Sequence, residues 1–173
     1  MSAAYRVRQF ARAVGAWLQP EDAAQAVVSS YLPEAARELF WAMPRYDRQH
    51  ATRVVETLEG MGVRDPDLMA AALLHDTGKT AGKTGRLRLW HRVAVVLMRA
   101  FAPSLLERIA QDRPKSWRQP FYVQLHHGEI GAALAAEAGC SARTADLIRH
   151  HEDSAGQQDD HLLTALQSAD GVN

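Results

Sequence analysis

The chain has 173 residues, and its 20 basic and 20 acidic side chains leave no net charge at neutral pH. Apolar residues make up 47% and charged residues 23%. This is typical of one globular domain and unlike a general nucleic-acid-binding protein, which carries a basic excess. The single Cys140 excludes an internal disulfide and a cysteine-rich zinc site, and it favours a cytoplasmic location.

The N-terminal segment contains apolar residues interrupted by Arg6, Arg8 and Arg12. A secretory signal needs an unbroken apolar stretch, so we expect no signal peptide. The apolar runs 68–74 and 93–98 are both far shorter than the roughly 20 residues that span a bilayer, so we expect no transmembrane segment. A helix with these arginines could rest on an anionic membrane surface. We interpret it instead as a solvated helix face.

Helical patterns dominate the rest of the chain, and no segment alternates with period two for long. Asp65 followed by Pro66 predicts a helix start, and Gly62 and Gly139 predict left-handed helix ends. We predict an all-α fold, with an N-terminal helical extension over 1–45 and a single helical bundle over 46–173. The predicted helices are 4–18, 21–30, 33–42, 46–61, 66–79, 86–102, 104–111, 120–138, 142–151 and 159–170.

The adjacent pair His75-Asp76 is the first candidate for chemistry. Because the chain has eight histidines, its amino-acid composition alone predicts about half of one adjacent His-Asp pair by chance. The context makes it stronger, because the apolar run 68–74 precedes it and predicts a buried helix. An unpaired carboxylate is costly to bury, and a divalent cation is one partner that removes this cost.

Further histidines and one aspartate interrupt apolar helix faces elsewhere. His127 shares a face with Val123 and Ile130, and Asp170 shares one with Leu166. Taken singly, each histidine could be a core residue with a satisfied hydrogen bond, and Asp170 could be a frayed terminal carboxylate. Taken together, the pattern favours a metal site. Its candidates are His50, His75, Asp76, His126, His127, His150, His151 and Asp170.

In this order these residues resemble the HD superfamily of metal-dependent phosphohydrolases, from about His50 to Asp170. The segment Ala71–Lys79, AALLHDTGK, is a strong instance of the superfamily signature, and His50 and Asp170 complete its His…His-Asp…Asp pattern. The resemblance implies an HD-domain helical bundle and a metal-dependent hydrolase.

The second half of the chain is similar to dinuclear members of that superfamily. The segment 127–132, HGEIGA, resembles the His-Pro-Glu-Ile-Gly segment of HD-GYP cyclic di-GMP phosphodiesterases, and His150-His151-Glu152 resembles their paired-histidine motif. Their Gly-Tyr-Pro is absent, since the chain reads GQQ over 156–158. Symmetrical diadenosine tetraphosphate hydrolases also have a His-Gly-x-x-Gly-Ala segment and a closing Ala-Asp. Their His-Thr-x-Gly is replaced here by HEDS over 151–154.

The resemblance implies two metal ions. One would take His50, His75, Asp76 and Asp170, and the other would take Asp76 as a bridge with His127, His151 and, as an alternative or addition, His150. Such a donor set suits Fe or Mn and permits Ni, Co or Zn.

The implied reaction is hydrolysis of a nucleotide phosphoester or phosphoanhydride by a hydroxide that the ions generate. Dinucleoside polyphosphates and cyclic dinucleotides are the favoured substrates, and no nucleic-acid partner is expected. Asp76 and Lys79 are the predicted catalytic residues, and Lys79, Arg53 and Arg149 the predicted phosphate contacts. For these three cations an ordinary surface salt bridge is the alternative. Two other functions remain open: a mononuclear nucleoside monophosphate phosphatase, and a non-catalytic module that binds a nucleotide or a partner protein.

Overall fold

The computed structural model describes residues 21–80, 94–95, 97–98, 101–113, 116–153 and 159–173. Within these ranges the chain is helical and has no β-strand, which confirms the all-α prediction. Eight α-helices and one 3-10 helix have defined bounds. They are α1 (Glu21–Tyr31), α2 (Glu34–Ala42), α3 (Arg45–Gly60), α4 (Pro66–Leu74), the 3-10 helix (Thr77–Thr80), α5 (Pro103–Ile109), α6 (Gln119–Glu137), α7 (Ala142–His150) and α8 (His161–Gly171).

Most predicted helices match these bounds to within two residues. The predicted helix over 4–18, and most of the one over 86–102, lie outside the described residues. Among the described parts of 86–102, residues 94–95, 97–98 and 101 are helical. None of the described helices is both long enough and apolar enough to cross a membrane.

Helix α4 is the centre of the bundle. Every residue from Leu68 to Leu74 is buried, as expected for a helix that is apolar on all sides. Its neighbours are α1, α2, α3, α7 and α8. The first two helices contribute Val28, Leu32 and Phe40 to the same core, so the described part of the predicted N-terminal extension packs on the bundle. His75 and Asp76 follow the last residue of α4 and are therefore held in the interior.

The predicted helix ends are confirmed around α4 and α6. The Asp65 carboxylate accepts hydrogen bonds from the backbone N–H groups of Asp67 and Leu68, both at 3.0 Å, and Pro66 begins the helix. Gly62 and Gly139 have φ angles of 79° and 85°, the left-handed conformation that glycine adopts without a steric cost.

The predicted helix over 66–79 is wrong in its last turn. The α-helix ends at Leu74, and residues Thr77–Thr80 form a 3-10 helix in which the Lys79 N–H donates to the Asp76 carbonyl at 3.0 Å. The tighter winding accompanies close packing on α6, where a Cβ on Gly78 would lie against the backbone oxygen of His127. The segment 75–80, HDTGKT, has no apolar stripe that would continue an α-helix, and Gly78 allows the 3-10 turn to pack closely on α6.

Asp160 caps the N-terminus of α8, and we expect it to contribute measurably to the stability of the fold. Its carboxylate accepts from the N–H groups of Leu162 and Leu163 and from Arg143 at 2.7 Å. We expect Asp160→Ala to lower the free energy of unfolding by about 1–2 kcal/mol at pH 7, the usual cost of a lost helix cap. Urea denaturation measures this value, and Asp159→Ala, an exposed neighbour, should leave it nearly unchanged.

The effect of Asp160→Ala should also depend on pH. The hydrogen bond from Arg143 lowers the pKa of Asp160 from 3.8 to about 2. A carboxyl whose pKa is lower in the folded state stabilises the fold above its unfolded pKa, and that contribution disappears as the pH falls toward the folded pKa. The difference between variant and wild type should therefore shrink between about pH 4 and pH 2. A difference that stays constant over this range would contradict the assigned role of the carboxylate.

Candidate metal centre

Three buried histidines have the same backbone anchor. The Nδ1–H of His75 donates to the Ala72 carbonyl at 2.9 Å, that of His127 to Gln124 at 3.0 Å and that of His151 to Ile148 at 2.7 Å. Each acceptor is a carbonyl three residues earlier, and a carbonyl can only accept, so Nδ1 carries the proton. In the neutral ring the Nε2 atom then has a lone pair and no proton. This is the tautomer that a histidine metal ligand needs.

The Nε2 lone pairs of these rings face one another and a carboxylate. His127 Nε2 lies 3.2 Å from His151 Nε2 and 3.7 Å from Asp76 Oδ1. His75 Nε2 lies 3.6 Å from Asp76 Oδ1, is buried, and has no hydrogen-bond partner among the described residues. Groups that only accept gain nothing from facing each other across a buried space, and a cation between them is the simplest way to satisfy them.

His50 on α3 and Asp170 on α8 join the centre, although 120 positions separate them along the chain. His50 Nε2 donates to Asp170 Oδ1 at 2.7 Å, and the same oxygen lies 3.6 Å from His75 Nε2. Asp170, in the last turn of α8, therefore contacts both histidines and is not a frayed terminal carboxylate. The rings of His50, His75, His151 and His127 follow one another edge to face, with centroids 5.2, 5.2 and 5.0 Å apart.

Two groups of donor atoms in this arrangement could each hold one ion. The first consists of His50, His75 and Asp76, and the second of Asp76, His127 and His151; within each group all donor atoms lie within 4.8 Å of one another. Asp76 belongs to both groups. The sequence prediction that Asp76 bridges two ions is compatible with this geometry.

Burial determines the protonation of the centre. It lowers the pKa of His75, His151 and His127 below the ordinary 6.5, and the Lys79 ammonium lowers that of His127 further. These rings are neutral at pH 7. Burial alone raises the pKa of Asp76, but the positive charges of His75 and Lys79 outweigh burial and lower it below 3.8.

Lys79 lies inside the centre. Its ammonium is 2.5 Å from Asp76 Oδ1, and only 15% of its side chain is exposed. The salt bridge of Lys79 is therefore not an ordinary surface salt bridge, because its partner Asp76 is buried and belongs to both donor groups. Arg53 is half-buried on α3, one turn after His50, whereas Arg149 is exposed on α7.

Glycines allow the elements around the centre to approach closely. A Cβ on Gly78 would lie 2.8 Å from the Gly131 nitrogen, and one on Gly128 would lie 2.8 Å from the Arg149 carbonyl oxygen. Helix α6 therefore fits between the 3-10 helix and α7 only because these positions lack side chains. This packing brings His127 on α6 next to Asp76 and His151.

In each of the two adjacent histidine pairs, 126–127 and 150–151, one histidine lies outside the donor groups. His150 donates through Nδ1 to the Asp146 carbonyl at 3.0 Å and belongs to neither donor group, whereas His151 belongs to the second group. His126 contacts Tyr122, with ring centroids 4.4 Å apart, and Glu129 at 3.2 Å. It too belongs to neither donor group, although its neighbour His127 does.

Glu152 is the residue to which the sequence pattern assigned no role. Its Oε1 lies 3.6 Å from His127 Nε2. The only feature of the sequence that could have pointed to Glu152 is its position directly after His151. That position is weak evidence, because acidic residues are common on exposed turns.

The donor set fits divalent metal ions by its chemistry. It combines neutral imidazole Nε2 atoms, ionised carboxylates and a buried nitrogen without a hydrogen-bond partner, and such N/O sets bind first-row transition metals. Comparison of the chain with protein-family models, with curated proteins and with solved structures finds no match. The functional argument therefore depends on the residues and their arrangement.

Proposed function

We propose that this protein is a metal-dependent phosphohydrolase of the HD type that hydrolyses a phosphoester or phosphoanhydride of a nucleotide. One observation carries the proposal. The Nε2 atoms of His75, His127 and His151, all deprotonated by their Nδ1 anchors, converge on Asp76. Ordinary core histidines satisfy both nitrogens, and three that leave Nε2 lone pairs around one carboxylate favour a cation site.

The order of the residues along the chain supports the same function. The pattern His50, His75-Asp76, Asp170 resembles that of HD phosphohydrolases, and the fold brings these four residues together from α3, the end of α4 and α8. Bound divalent ions would supply a water of lowered pKa as the nucleophile and would neutralise the charge that builds up on phosphate oxygens.

The protein's own side chains would prepare the centre for that chemistry. The backbone carbonyls at 72, 124 and 148 hold the three imidazoles in the ligand tautomer without any rearrangement. The pKa of Asp76 lies below its ordinary value, and the Lys79 ammonium lies next to the carboxylate. Such an ammonium can bind a phosphate oxygen as well as the carboxylate.

The exposed edge of the centre supports a small phosphate substrate. The side chains of His75 and His127 are 1% exposed, whereas those of Asp170 and Glu152 are 32% and 36% exposed. The centre is therefore most exposed to solvent at Asp170 and Glu152, and a phosphate group would reach it there by binding to the metal ions. We propose dinucleoside polyphosphates and cyclic dinucleotides as the substrates, with Lys79 and Arg53 contacting phosphate.

A hydrolysis panel tests the function. We expect protein loaded with Mn or Fe to hydrolyse bis-p-nitrophenyl phosphate, and at least one compound among cyclic dinucleotides, dinucleoside polyphosphates and nucleoside monophosphates. Chelator-stripped protein should be inactive, and activity should return with the metal. His75→Ala, purified and loaded in the same way, is the control for a contaminating phosphatase.

The outcomes of the panel separate the three functions. Activity confined to nucleoside monophosphates, with about one ion per chain, would favour the mononuclear phosphatase. Protein that holds its ions but hydrolyses nothing in the panel would contradict the enzymatic proposal and favour a binding module.

A further inference from the structure

We propose that Glu152 is a ligand of the second ion and the residue that sets the metal preference of that ion. The inference rests on the metal centre of the proposed function but not on hydrolysis. It assigns a role to a residue on the turn after α7, where the chain departs from the His-Thr-x-Gly pattern and reads HEDS.

The distance from Glu152 to the centre is the first argument. Apart from the hydrogen bond between His50 and Asp170 at 2.7 Å, three separations join a histidine Nε2 to a carboxylate oxygen among the candidate ligands: His75 to Asp76, 3.6 Å, His75 to Asp170, 3.6 Å, and His127 to Asp76, 3.7 Å. Glu152 Oε1 lies at the same distance, 3.6 Å, from His127 Nε2, although Glu152 is not within 4.8 Å of all the donor atoms of the second group. Two ligand atoms on one ion, with bonds of about 2.1 Å at a tetrahedral angle, are roughly 3.4 Å apart. These separations are too long for hydrogen bonds and match those of atoms that share an ion. Rotation of the Glu152 side chain, which is 36% exposed, would bring its carboxylate to an ion held by His127.

The chemistry of the contact is the second argument. The Nδ1–H of His127 donates to a backbone carbonyl, so Nε2 faces Glu152 with a lone pair and not with a proton. A divalent cation can bind both this lone pair and the Glu152 carboxylate. The Asp76 carboxylate in the same donor group is already paired with the Lys79 ammonium at 2.5 Å. A second carboxylate would supply negative charge that the two neutral imidazoles lack.

The backbone holds Glu152 in place, which is the third argument. The amide of Gln167 on α8 donates to the carbonyl oxygens of His150 at 3.3 Å and Asp153 at 3.0 Å. These carbonyls lie on either side of His151 and Glu152. The Asp153 N–H also donates to the His150 carbonyl at 3.0 Å. A turn fixed in this way positions the side chain for a ligand at little entropic cost.

The expected consequence is a preference for a hard ion in the second site. Imidazoles suit Zn and Ni as well as Fe, whereas carboxylate oxygens suit Mn. Glu152 would therefore raise the affinity of the second site for Mn relative to Zn.

The test is metal titration of the full chain as Glu152→Gln, with Asp153→Asn as the matched control on the adjacent exposed carboxylate. Competition with a chromogenic chelator gives the affinity for each ion, and Mn electron paramagnetic resonance reports whether two ions are coupled. We expect Glu152→Gln to weaken the second Mn by at least about 10-fold, to leave the first Mn unchanged, and to weaken the second Zn less. The control should bind both ions as the wild type does.

Two results would overturn the proposal. One is a second Mn affinity in Glu152→Gln within about twofold of the wild-type value, with circular dichroism showing an intact fold. The other is a wild-type protein that takes up only one ion. Failure of hydrolysis is a separate result, because protein that binds two ions and hydrolyses nothing would still allow the Glu152 titration to succeed.

Discussion

Asp76→Asn should remove most of the bound metal. Wild-type protein purified without chelator is expected to hold about two transition-metal ions per chain, and the variant close to none. Asp76 is the only residue shared by the two donor groups, and the amide lacks the charge and the second oxygen that a bridging carboxylate offers. Loss of partners that only orient a ligand already costs 10–100-fold in affinity. We therefore expect Mn affinity to fall by about 100-fold or more, and hydrolysis to fall with it.

Metal analysis by mass spectrometry and Mn titration measure this effect. The substitution keeps the shape of the side chain, so circular dichroism should show an unchanged helix content. Asp159→Asn removes an exposed carboxylate before α8 and should bind metal as the wild type does. Full metal content in Asp76→Asn would show that the two donor groups are not ion sites.

Gly78→Ala should destabilise the fold strongly. The added Cβ would meet the His127 carbonyl oxygen and lie 2.8 Å from the Gly131 nitrogen, and both are backbone atoms of α6 that cannot rotate away. Forcing α6 outward is expected to cost about 3 kcal/mol or more, the upper part of the range for overpacked positions. The melting temperature should fall by roughly 6–12 °C for a domain of this size.

Gly60→Ala is the matched control for that experiment. Gly60 is the last residue of α3, and nothing lies within 4 Å of a Cβ built on it. Alanine is favoured over glycine in a helix by roughly 0.5–1 kcal/mol, so this variant should be as stable as the wild type or slightly more so. Equal melting temperatures for Gly78→Ala and wild type would contradict the close packing of the 3-10 helix on α6. Because the same contact places His127, the Gly78 variant should also bind the second ion more weakly.

Local sequence predicted the helices and several of their ends. Apolar spacing gave the elements, and Asp65, Gly62 and Gly139 have the capping roles expected of them. The unbroken apolar run before His75 predicted a buried helix, and α4 is the core helix of the described chain. The error over 77–79 arose because the polar segment HDTGKT has no periodicity that distinguishes an α-helical turn from a 3-10 turn, and the 3-10 turn packs closely on α6.

The candidate centre depends on both levels. Residue pattern and resemblance to a family selected His50, His75, Asp76, His127 and His151 before their positions were known. Choosing His151 over His150 required the fold, because both histidines lie at the end of the same helix. Glu152 had no signal that separates it from any other exposed acid.

The sequence by itself determined that the chain is helical, where most of its helices begin and end, and which polar residues interrupt apolar faces. Only the tertiary structure decided that His50 meets Asp170 across 120 positions and that His127 Nε2 meets His151 Nε2 at 3.2 Å. The physical reason is that helical periodicity fixes which residues share a face of one helix. It fixes neither which helices become neighbours nor which ring nitrogen points inward, and these follow from glycine contacts between helices and from backbone carbonyls that hold each Nδ1 proton.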